Sequence, residues 1–437
     1  MLTLGRHTVT GMLSAGGKQF QDWSATYRLF EKARIKQNEL FAPVINAILE
    51  ELDEQTPLFT MIDDTLVRKR GRKVSGTGWK RDPLGPPFHT NFVWGQRYLQ
   101  ISAALPDLDV AGRARAIPIG FHHAPSAVKP RKNAPAEAWD EYKKQQELCK
   151  ISAVGAAHLA ELHKQIPERK IVCAVDGGFT NQEVFRSIPE GTTLIGRIRK
   201  DASLFEVPEE TGRTSRGRKK YYGERLPTPE QTRENESIPW QRVRAFAAGK
   251  HHEFEIKTMT PVRWKSSKDR DMLVVIIRPL AYRPRKGAKL LYREPAYLIC
   301  SDTRIPLEQL VQAYLWRWEI ELNFRDEKTI MGVGEAQVRT SAAVQSVPAF
   351  VVATYAFLLL AAHSLRIKPT CLPSPKWYPQ KPSNRCSTQK ILSLFRAQYW
   401  NLDVDSNKSG FVSHLPETQP HFYSLNSLNS ALCYALK

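Results

Sequence analysis

The chain contains few cysteines, and their positions do not build a site. Its 437 residues include six cysteines, and no two of them form a C-x-x-C pair. They also lack the clustered spacing that a zinc site or a disulfide framework requires. Scattered, unpaired cysteines are typical of a protein that works in a reducing compartment.

Long apolar segments are also missing. The N-terminus, MLTLGRHTVTGMLSAGG, has no extended apolar region, so the sequence predicts no signal peptide. The longest apolar run extends from Val347 to Ala362 and is interrupted by Pro348, Thr354 and Tyr355. Since a membrane-spanning helix needs ~20 apolar residues, we predict that this run forms a buried helix instead.

Acidic residues are scarce relative to basic ones. The chain has 64 lysines and arginines against 44 aspartates and glutamates, which gives a formal net charge of +20. This excess favours a polyanionic partner, with nucleic acid as the first candidate and an anionic membrane surface as the second. A basic protein that merely avoids aggregation would show the same balance. Hydrophobic residues make up 42% of the chain, which excludes a disordered basic tail.

The hydrophobic pattern divides the first half of the chain into two regions. Residues 1–56 are predicted to be helical, because apolar residues recur at helical spacing in FAPVINAILEEL. Two short helices around Gly16-Gly17 could form a DNA-binding helix-turn-helix, although any small helical domain would look the same. Residues 57–202 follow the order β-β-β-α-β-α-β, which predicts an α/β fold with a mixed sheet flanked by helices.

The second half of the chain is predicted to contain three further regions. Residues 203–293 have poor helical periodicity, and we expect a β-rich insertion that interrupts the core. Residues 294–365 resume the core with one strong helix from about Pro306 to Ile330. Residues 366–437 begin with a Pro-rich connector and carry one further helix around Lys390 to Tyr399.

The helix from about Pro306 to Ile330 carries most of the candidate chemistry. At about 100° per residue, four polar side chains fall on one narrow face of a continuous helix. These residues are Tyr314, Arg317, Glu321 and Lys328. Trp316, Ile320 and Phe324 fall on a separate apolar stripe. One carboxylate is thus flanked by two cations and a phenol, although a solvent-exposed, salt-bridged helix face would explain the same charges.

The spacing of these residues, Y-x2-R-x3-E-x6-K, resembles a known signature. It is similar to that of the DDE transposases of bacterial insertion sequences, in the group named for its Tyr-Arg-Glu-Lys motif. The resemblance includes the IDDT and VDGGF segments and the β-rich region, and it covers roughly residues 57–365. It implies an RNase H-like core, with which the predicted strand order agrees.

The resemblance also implies a catalytic triad that holds divalent metal. The matching residues are Asp63, Asp176 and Glu321. Carboxylates are hard ligands suited to Mg²⁺, for which Mn²⁺ can substitute, and two such ions can activate both oxygens of a phosphodiester displacement. An isolated aspartate at a strand end is more often a cap or turn residue. The first ligand is ambiguous because Asp64 follows Asp63. Asp63 has the family's D-x-T spacing to Thr65. Side chains of neighbouring strand residues lie on opposite faces, so only one of the two aspartates is expected to face the site.

Several further residues are candidates for DNA contact. Tyr314, Arg317 and Lys328 match signature positions that resemble DNA-end contacts, and cations suit phosphate oxygens. The basic stretch after the first strand supplies Arg68, Lys69, Arg70, Arg72 and Lys73. A second basic stretch runs from Arg213 to Lys220, and either stretch could be only a solvated loop. Trp264 could stack on a flipped base, or it could be a core tryptophan.

These features predict a DNA transposase that cleaves the ends of an insertion sequence and joins their 3′-OH groups to target DNA, by a cut-and-paste pathway. The expected partner is double-stranded DNA, comprising terminal inverted repeats and target, bound by a homodimer that assembles on DNA. We expect a cytoplasmic, nucleoid-associated protein without membrane contact. The alternatives are an RNase H-like nuclease without strand transfer and a non-catalytic DNA-binding regulator.

Overall fold

A computed structural model of the chain describes most of residues 1–399. The residues outside this description are 19, 33, 83–84, 87, 90, 209–219, 284–286, 369–384 and 400–437. The predicted Pro-rich connector and the basic stretch from Arg213 to Lys220 therefore lie almost entirely outside the described residues.

The described part of the chain alternates between helices and strands. Its helices are α1 (Val9–Ala15), α2 (Ser24–Glu31), α3 (Gln37–Glu50), α4 (Ala136–Leu148), α5 (Ile151–Gln165), α6 (Gln182–Arg186), α7 (Pro229–Glu234), α8 (Leu307–Trp316), α9 (Glu319–Thr329), α10 (Ser341–Ser364) and α11 (Thr388–Tyr399). Its strands are β1 (Leu58–Arg68), β2 (Gly78–Arg81), β3 (Phe92–Pro106), β4 (Ala114–His123), β5 (Ile171–Val175), β6 (Thr192–Arg197), β7 (Leu204–Phe205), β8 (Gln241–Ala247), β9 (Lys250–Trp264), β10 (Asp271–Ile277), β11 (Ala281–Tyr282), β12 (Leu291–Tyr292) and β13 (Ala296–Cys300).

Most of the described strands form one mixed sheet. Their order is β2-β3-β1-β5-β6-β13-β10-β9-β7, with β4 paired to β3 and β8 paired to β9. β4, β3 and β1 are antiparallel neighbours, whereas β5 is parallel to both β1 and β6. Three antiparallel strands followed by two parallel ones make the core RNase H-like. The predicted fold class, a mixed sheet flanked by helices, is therefore confirmed.

Helices cover the central strands on both faces. Met61 and Val172 belong to one buried cluster with Ile320 and Phe324 of α9, and we call this side of the sheet the α9 face. The opposite side packs on α5, whose Leu159 is fully buried. Because both faces are covered, β1 and β5 begin with continuously buried, mostly apolar runs rather than alternating patterns.

The β-rich region of residues 203–293 is attached to the core in a way that the sequence did not predict. We expected an insertion that interrupts the core. The region lies in sequence between the paired strands β6 and β13, and within it β10 pairs with β13 and β9 pairs with β10, so that these strands prolong the core sheet. Their pairing satisfies backbone groups that β13 would otherwise expose along a sheet edge.

The apolar run from Val347 to Ala362 lies inside α10, as predicted. By length and composition, α10 is one helix of the described chain that could cross a membrane, but 78% of its apolar window is buried within the protein. It packs against β4 and against α3, which buries Phe41, Val44 and Ile48. The N-terminal helices and α10 thus share one hydrophobic core with the sheet.

Candidate active site

The glutamate helix is broken at the centre of the Tyr-Arg-Glu-Lys spacing. We predicted one helix, but α8 ends at Trp316 and α9 begins at Glu319. Across the break, the N–H of Arg317 donates to the carbonyl of Tyr314 (3.3 Å), and the N–H of Glu321 donates to the carbonyl of Trp318 (3.2 Å). This three-residue spacing is that of a 3₁₀ turn, which tightens the backbone locally. The polar stripe calculated for a continuous helix is therefore wrong in detail.

The first two carboxylates lie side by side at the ends of adjacent parallel strands. The last register pair between β1 and β5 joins Ile62 to Val175. Asp63 and Asp176 follow that pair directly, on strands separated by about 4.8 Å. Because side chains alternate between faces along a strand, Asp63 and Asp176 both lie on the α9 face, two residues after Met61 and four after Val172.

Arg317 connects this strand edge to the glutamate helix. Its guanidinium lies 3.4 Å from Oδ2 of Asp63 and 3.5 Å from Oε1 of Glu321. The Arg317 side chain is only 7% exposed. A guanidinium at this point neutralises two carboxylates that share one partly desolvated site. The break between α8 and α9 thus places a cation between the first and third candidate catalytic residues.

The electrostatics of the site show that its carboxylates influence one another. Burial and the negative charge of Asp176 together raise the pKa of Asp63 to about 7, against the opposing effects of a backbone hydrogen bond from Asp64 and of Arg317. Burial also raises the pKa of Glu321, which Arg317 lowers and Asp176 raises. Asp176 therefore influences both other carboxylates, as expected for like charges near one another.

Asp64 has a different environment from Asp63. It follows Asp63 on the strand, so its side chain lies on the opposite face of β1. There it forms an ion pair with Arg97, with 3.1 Å between Oδ2 and Nε. Burial raises the pKa of Asp64, and Arg97 is the main group that lowers it. Asp176 raises the pKa of Asp64 as well as that of Asp63, so the two aspartates differ in their ion-pair partners, which are Arg97 for Asp64 and Arg317 for Asp63.

Asp176 accepts hydrogen bonds in a turn and also lies beside Asp63 at the strand end. Its Oδ1 accepts hydrogen bonds from the N–H groups of Gly178 (2.9 Å) and Phe179 (3.2 Å). A Cβ atom at position 178 would lie 3.2 Å from that Oδ1, so glycine allows the close approach. The turn thereby fixes the orientation of the Asp176 carboxylate on the α9 face.

The donor chemistry of this site suits a hard divalent cation, because all three candidate ligands are carboxylates. Their side chains are not gathered around one point, since the described residues contain no group of three histidines, cysteines, aspartates or glutamates that could hold a metal ion. Arg317 supplies positive charge between Asp63 and Glu321 instead. Oxygen-rich ligands and a cation placed among them fit a metal-binding role for these residues.

An open basic cleft lies beside the break between α8 and α9. Tyr314, Arg317 and the exposed Trp318 line it. Its cationic residues are Arg113, Arg197, Lys250, Arg278, Arg283, Arg293, Arg317 and Arg385. Its acidic residues are Glu294 and Glu319. The positive surplus favours the binding of an anionic polymer in the cleft, next to Arg317.

The other predicted DNA contacts differ in their availability. Lys328 is exposed on α9. The Lys69 amine donates to the carbonyls of Gly334 (2.6 Å) and Ala336 (3.3 Å), so it holds the chain together.

Among the remaining basic residues after β1, Arg68 forms an ion pair with Asp82 at 2.9 Å. Arg70, Arg72 and Lys73 are exposed and suited to contact a ligand. These three residues therefore fit the predicted DNA contact better than Lys69 does.

Trp264 is placed as a packing residue. Its ring meets that of Phe185 edge-on, with 5.3 Å between centroids, and it is partly buried against the main core. This arrangement favours the core interpretation of Trp264 over base stacking. Trp318, which is 56% exposed in the basic cleft, is the more accessible aromatic residue near the carboxylates.

Sequence reasoning missed a polar group beneath the carboxylates. Gln100 is the register partner of Asp63 on β3 and is fully buried, as is Glu327 on α9. The signal that could have revealed Gln100 is an amide side chain within the largely apolar run YLQISAAL. Such a residue inside a buried strand needs a polar partner.

Comparison with known proteins identifies a family. A family model described as DDE superfamily endonuclease matches residues 1–266, which is more than half of the chain. The matched part contains Asp63 and Asp176 and ends before Glu321. No curated protein matches the chain.

Proposed function

This chain belongs to the DDE superfamily of endonucleases, and on that premise we propose that it is a DNA transposase that uses Asp63, Asp176 and Glu321 as its catalytic carboxylates. Superfamily membership makes it a DNA-acting nuclease of a metal-dependent class. The observation that carries the finer proposal is the position of Arg317, whose guanidinium contacts both Asp63 and Glu321 at the strand edge that Asp63 shares with Asp176.

The three carboxylates would hold Mg²⁺, or Mn²⁺ in its place, which supplies activation of the attacking oxygen and stabilisation of the leaving oxygen. Asp63 and Asp176 offer their oxygens from rigid strand ends. Glu321 approaches from α9 and is less buried than Asp63. Arg317 opposes the rise in pKa that burial causes at Asp63 and Glu321, and so favours the charged form in which they would act as ligands.

We propose that DNA binds along the basic cleft. Phosphate contacts position DNA without reading its sequence, and arginine suits them because it is always charged and binds in fork geometry. Tyr314 and Arg317 line the cleft, and Lys328 lies further along the signature. We propose that these members of the Tyr-Arg-Glu-Lys signature hold the DNA end next to the carboxylates.

We further propose that the 3′-OH released by cleavage attacks target DNA in the same site, in a cut-and-paste pathway. A site that activates water for attack on a phosphodiester can activate a 3′-OH in the same way. Joining two ends requires two active sites, so a homodimer on paired inverted repeats is the expected assembly. We place the enzyme in the bacterial cytoplasm with the nucleoid.

The test is cleavage and joining by purified protein. The substrate is a supercoiled plasmid that carries the chromosomal DNA flanking the coding sequence. With Mg²⁺ present, we expect cleavage at the element ends and joining that is blocked when the 3′-OH is replaced by a 3′-deoxy end. Asp63→Asn, Asp176→Asn and Glu321→Gln should each nearly abolish both steps while the protein still folds.

Asp64→Asn is the matched control, because it changes the neighbouring carboxylate on the opposite face of β1. It should lose the ion pair with Arg97 but keep turnover. A dead Asp64 variant together with an active Asp63 variant would shift the metal ligand by one residue. Cleavage without joining would identify a hydrolytic nuclease, and binding without cleavage would identify a regulator.

A further inference from the structure

The hairpin formed by β2 and β3 has one aromatic, basic face. Trp79 pairs with Trp94 and Arg81 pairs with Phe92 across the antiparallel ladder. Because residues paired in register share a face, these four side chains lie on the same side of the hairpin. We call this side the ribbon face.

The ribbon face is open to solvent, and the other side of the hairpin is anchored. Trp79 is 66% exposed and Phe92 is 55% exposed. Trp79 meets Trp94 edge-on at 5.6 Å between centroids, which fixes its ring. Lys80, on the opposite side, is buried and donates a hydrogen bond to Ser126. The aromatic side chains are thus held outward on a hairpin that is fixed from behind.

Exposed cations surround these rings. Arg81 lies on the ribbon face itself, and the segment that leads from β1 to β2 carries Arg70, Arg72 and Lys73, all exposed. The indole Nε1 of Trp94 donates to the carbonyl of Gly71 at 3.2 Å, which ties this basic segment to the hairpin. Aromatic planes interleaved with cations are the combination that binds unpaired bases and their phosphates.

The ribbon face also continues the active-site side of the sheet. Gln100 of β3 is the register partner of Asp63, so both lie on the α9 face. Trp94 is six residues from Gln100 on the same strand, with the same alternation. At about 3.4 Å per residue, Trp94 lies on the order of 20 Å from the first carboxylate.

We propose that the ribbon face binds single-stranded DNA, the unpaired segment that adjoins the cleavage site. The partner is DNA because of the proposed function, on which this inference rests. Unpaired bases would stack on Trp79 and Phe92, while phosphates would contact Arg81 and the basic segment. A blunt duplex keeps its bases stacked inside the helix and cannot use these rings.

The test compares the affinity for oligothymidylate with that for a blunt duplex of mixed sequence. Binding is measured by fluorescence anisotropy without divalent metal, so that no cleavage occurs. The double variant Trp79→Ala/Phe92→Ala should lose about 5- to 150-fold in affinity for oligothymidylate per stacked base. Its affinity for the duplex should be unchanged.

Three further variants separate stacking from folding and from charge. Trp79→Phe keeps an aromatic plane and should retain most of the affinity for oligothymidylate. Tyr399→Ala removes a similarly exposed aromatic residue, 57% exposed, at the end of α11 and should change neither affinity. Arg70→Ala/Arg72→Ala should lower the affinity for both substrates and lower the salt dependence of binding by about two units of slope.

The inference would be overturned if the double variant lost the same affinity for both substrates. It would also be overturned if the double variant kept the parental affinity for oligothymidylate. A concentration-dependent dimer that the double variant loses while it still binds oligothymidylate would overturn it as well, because the rings would then cover a second copy of the chain. These results are distinguishable from failure of the proposed function, which is decided by whether cleavage requires Asp63.

Discussion

At the scale of single residues, Glu327 is an acidic side chain of α9 that is buried near the candidate active site. It is 1% exposed, and burial raises the pKa of its carboxyl to about 8. Gln100 and Lys328 lower that pKa, and Asp326 raises it. Within the described residues, Oε1 of Glu327 and Oε1 of Gln100 are both buried without a hydrogen-bond partner. The raised pKa favours the protonated carboxyl, whose O–H can donate a hydrogen bond to a buried acceptor.

This protonation makes stability depend on pH. The folded pKa of Glu327 lies above its ordinary value, so between about pH 4.5 and about pH 8 the folded state binds more protons than the unfolded state. The contribution is fully present below this window and is lost as the pH rises through it. Glu327→Gln supplies a permanent amide donor, so its melting temperature should fall less than the parent's between about pH 5 and about pH 8.5.

Thermal melting across that pH range checks the Glu327 prediction. Glu137→Gln, on the exposed surface of α4, is the matched control and should follow the parent curve. A parental pH dependence in Glu327→Gln would show that the carboxyl is charged and paired in solution.

At the scale of elements, the break between α8 and α9 separates two cations that the sequence placed on one stripe. Arg317 is buried between Asp63 and Glu321, whereas Lys328 is exposed on α9. Arg317→Ala should therefore destabilise the metal-free protein by about 1–3 kcal/mol, because it leaves a buried carboxylate without its partner. Lys328→Ala should change stability by less than about 0.5 kcal/mol.

The loss of Lys328 should instead affect DNA binding, because we propose that this residue contacts a phosphate of the DNA end. Lys328→Ala should lower the salt dependence of duplex binding by about one unit of slope. Urea unfolding in chelator gives the stability, and binding at several salt concentrations gives the slope. If Arg317→Ala unfolds like the parent, the ion pairs around it contribute nothing to the fold.

The break itself was beyond sequence-based prediction. Arg317 (φ −51°, ψ −34°) and Trp318 (φ −63°, ψ −18°) both have helical backbone angles, and no glycine or proline marks the turn. Strands β1 and β5, in contrast, were predictable because apolar runs ending in aspartate are a local signal. The extension of the sheet by β10 and β9 depends on pairing between distant strands, which local patterns do not record.

At the scale of the whole molecule, the distribution of the net charge of +20 is more informative than its size. Composition alone could not separate a nucleic-acid partner from a membrane surface. The fold collects cations along one cleft, which also contains Arg317, the ion-pair partner of Asp63 and Glu321. Concentrated charge of one sign beside a reactive site focuses the electrostatic field there, which scattered charge does not.

Cations in the cleft should therefore dominate the salt dependence of duplex binding. Lys250 and Arg293 line the cleft and are exposed, whereas Lys143 and Lys144 are exposed on α4 outside it. Each lost phosphate contact lowers the slope of log affinity against log salt by about 0.9. Lys250→Ala/Arg293→Ala should reduce the slope by about 1.8, and Lys143→Ala/Lys144→Ala, which removes the same net charge, should leave it unchanged. Equal reductions in both double variants would mean that DNA responds to total charge, and that the cleft is not its path to Asp63, Asp176 and Glu321.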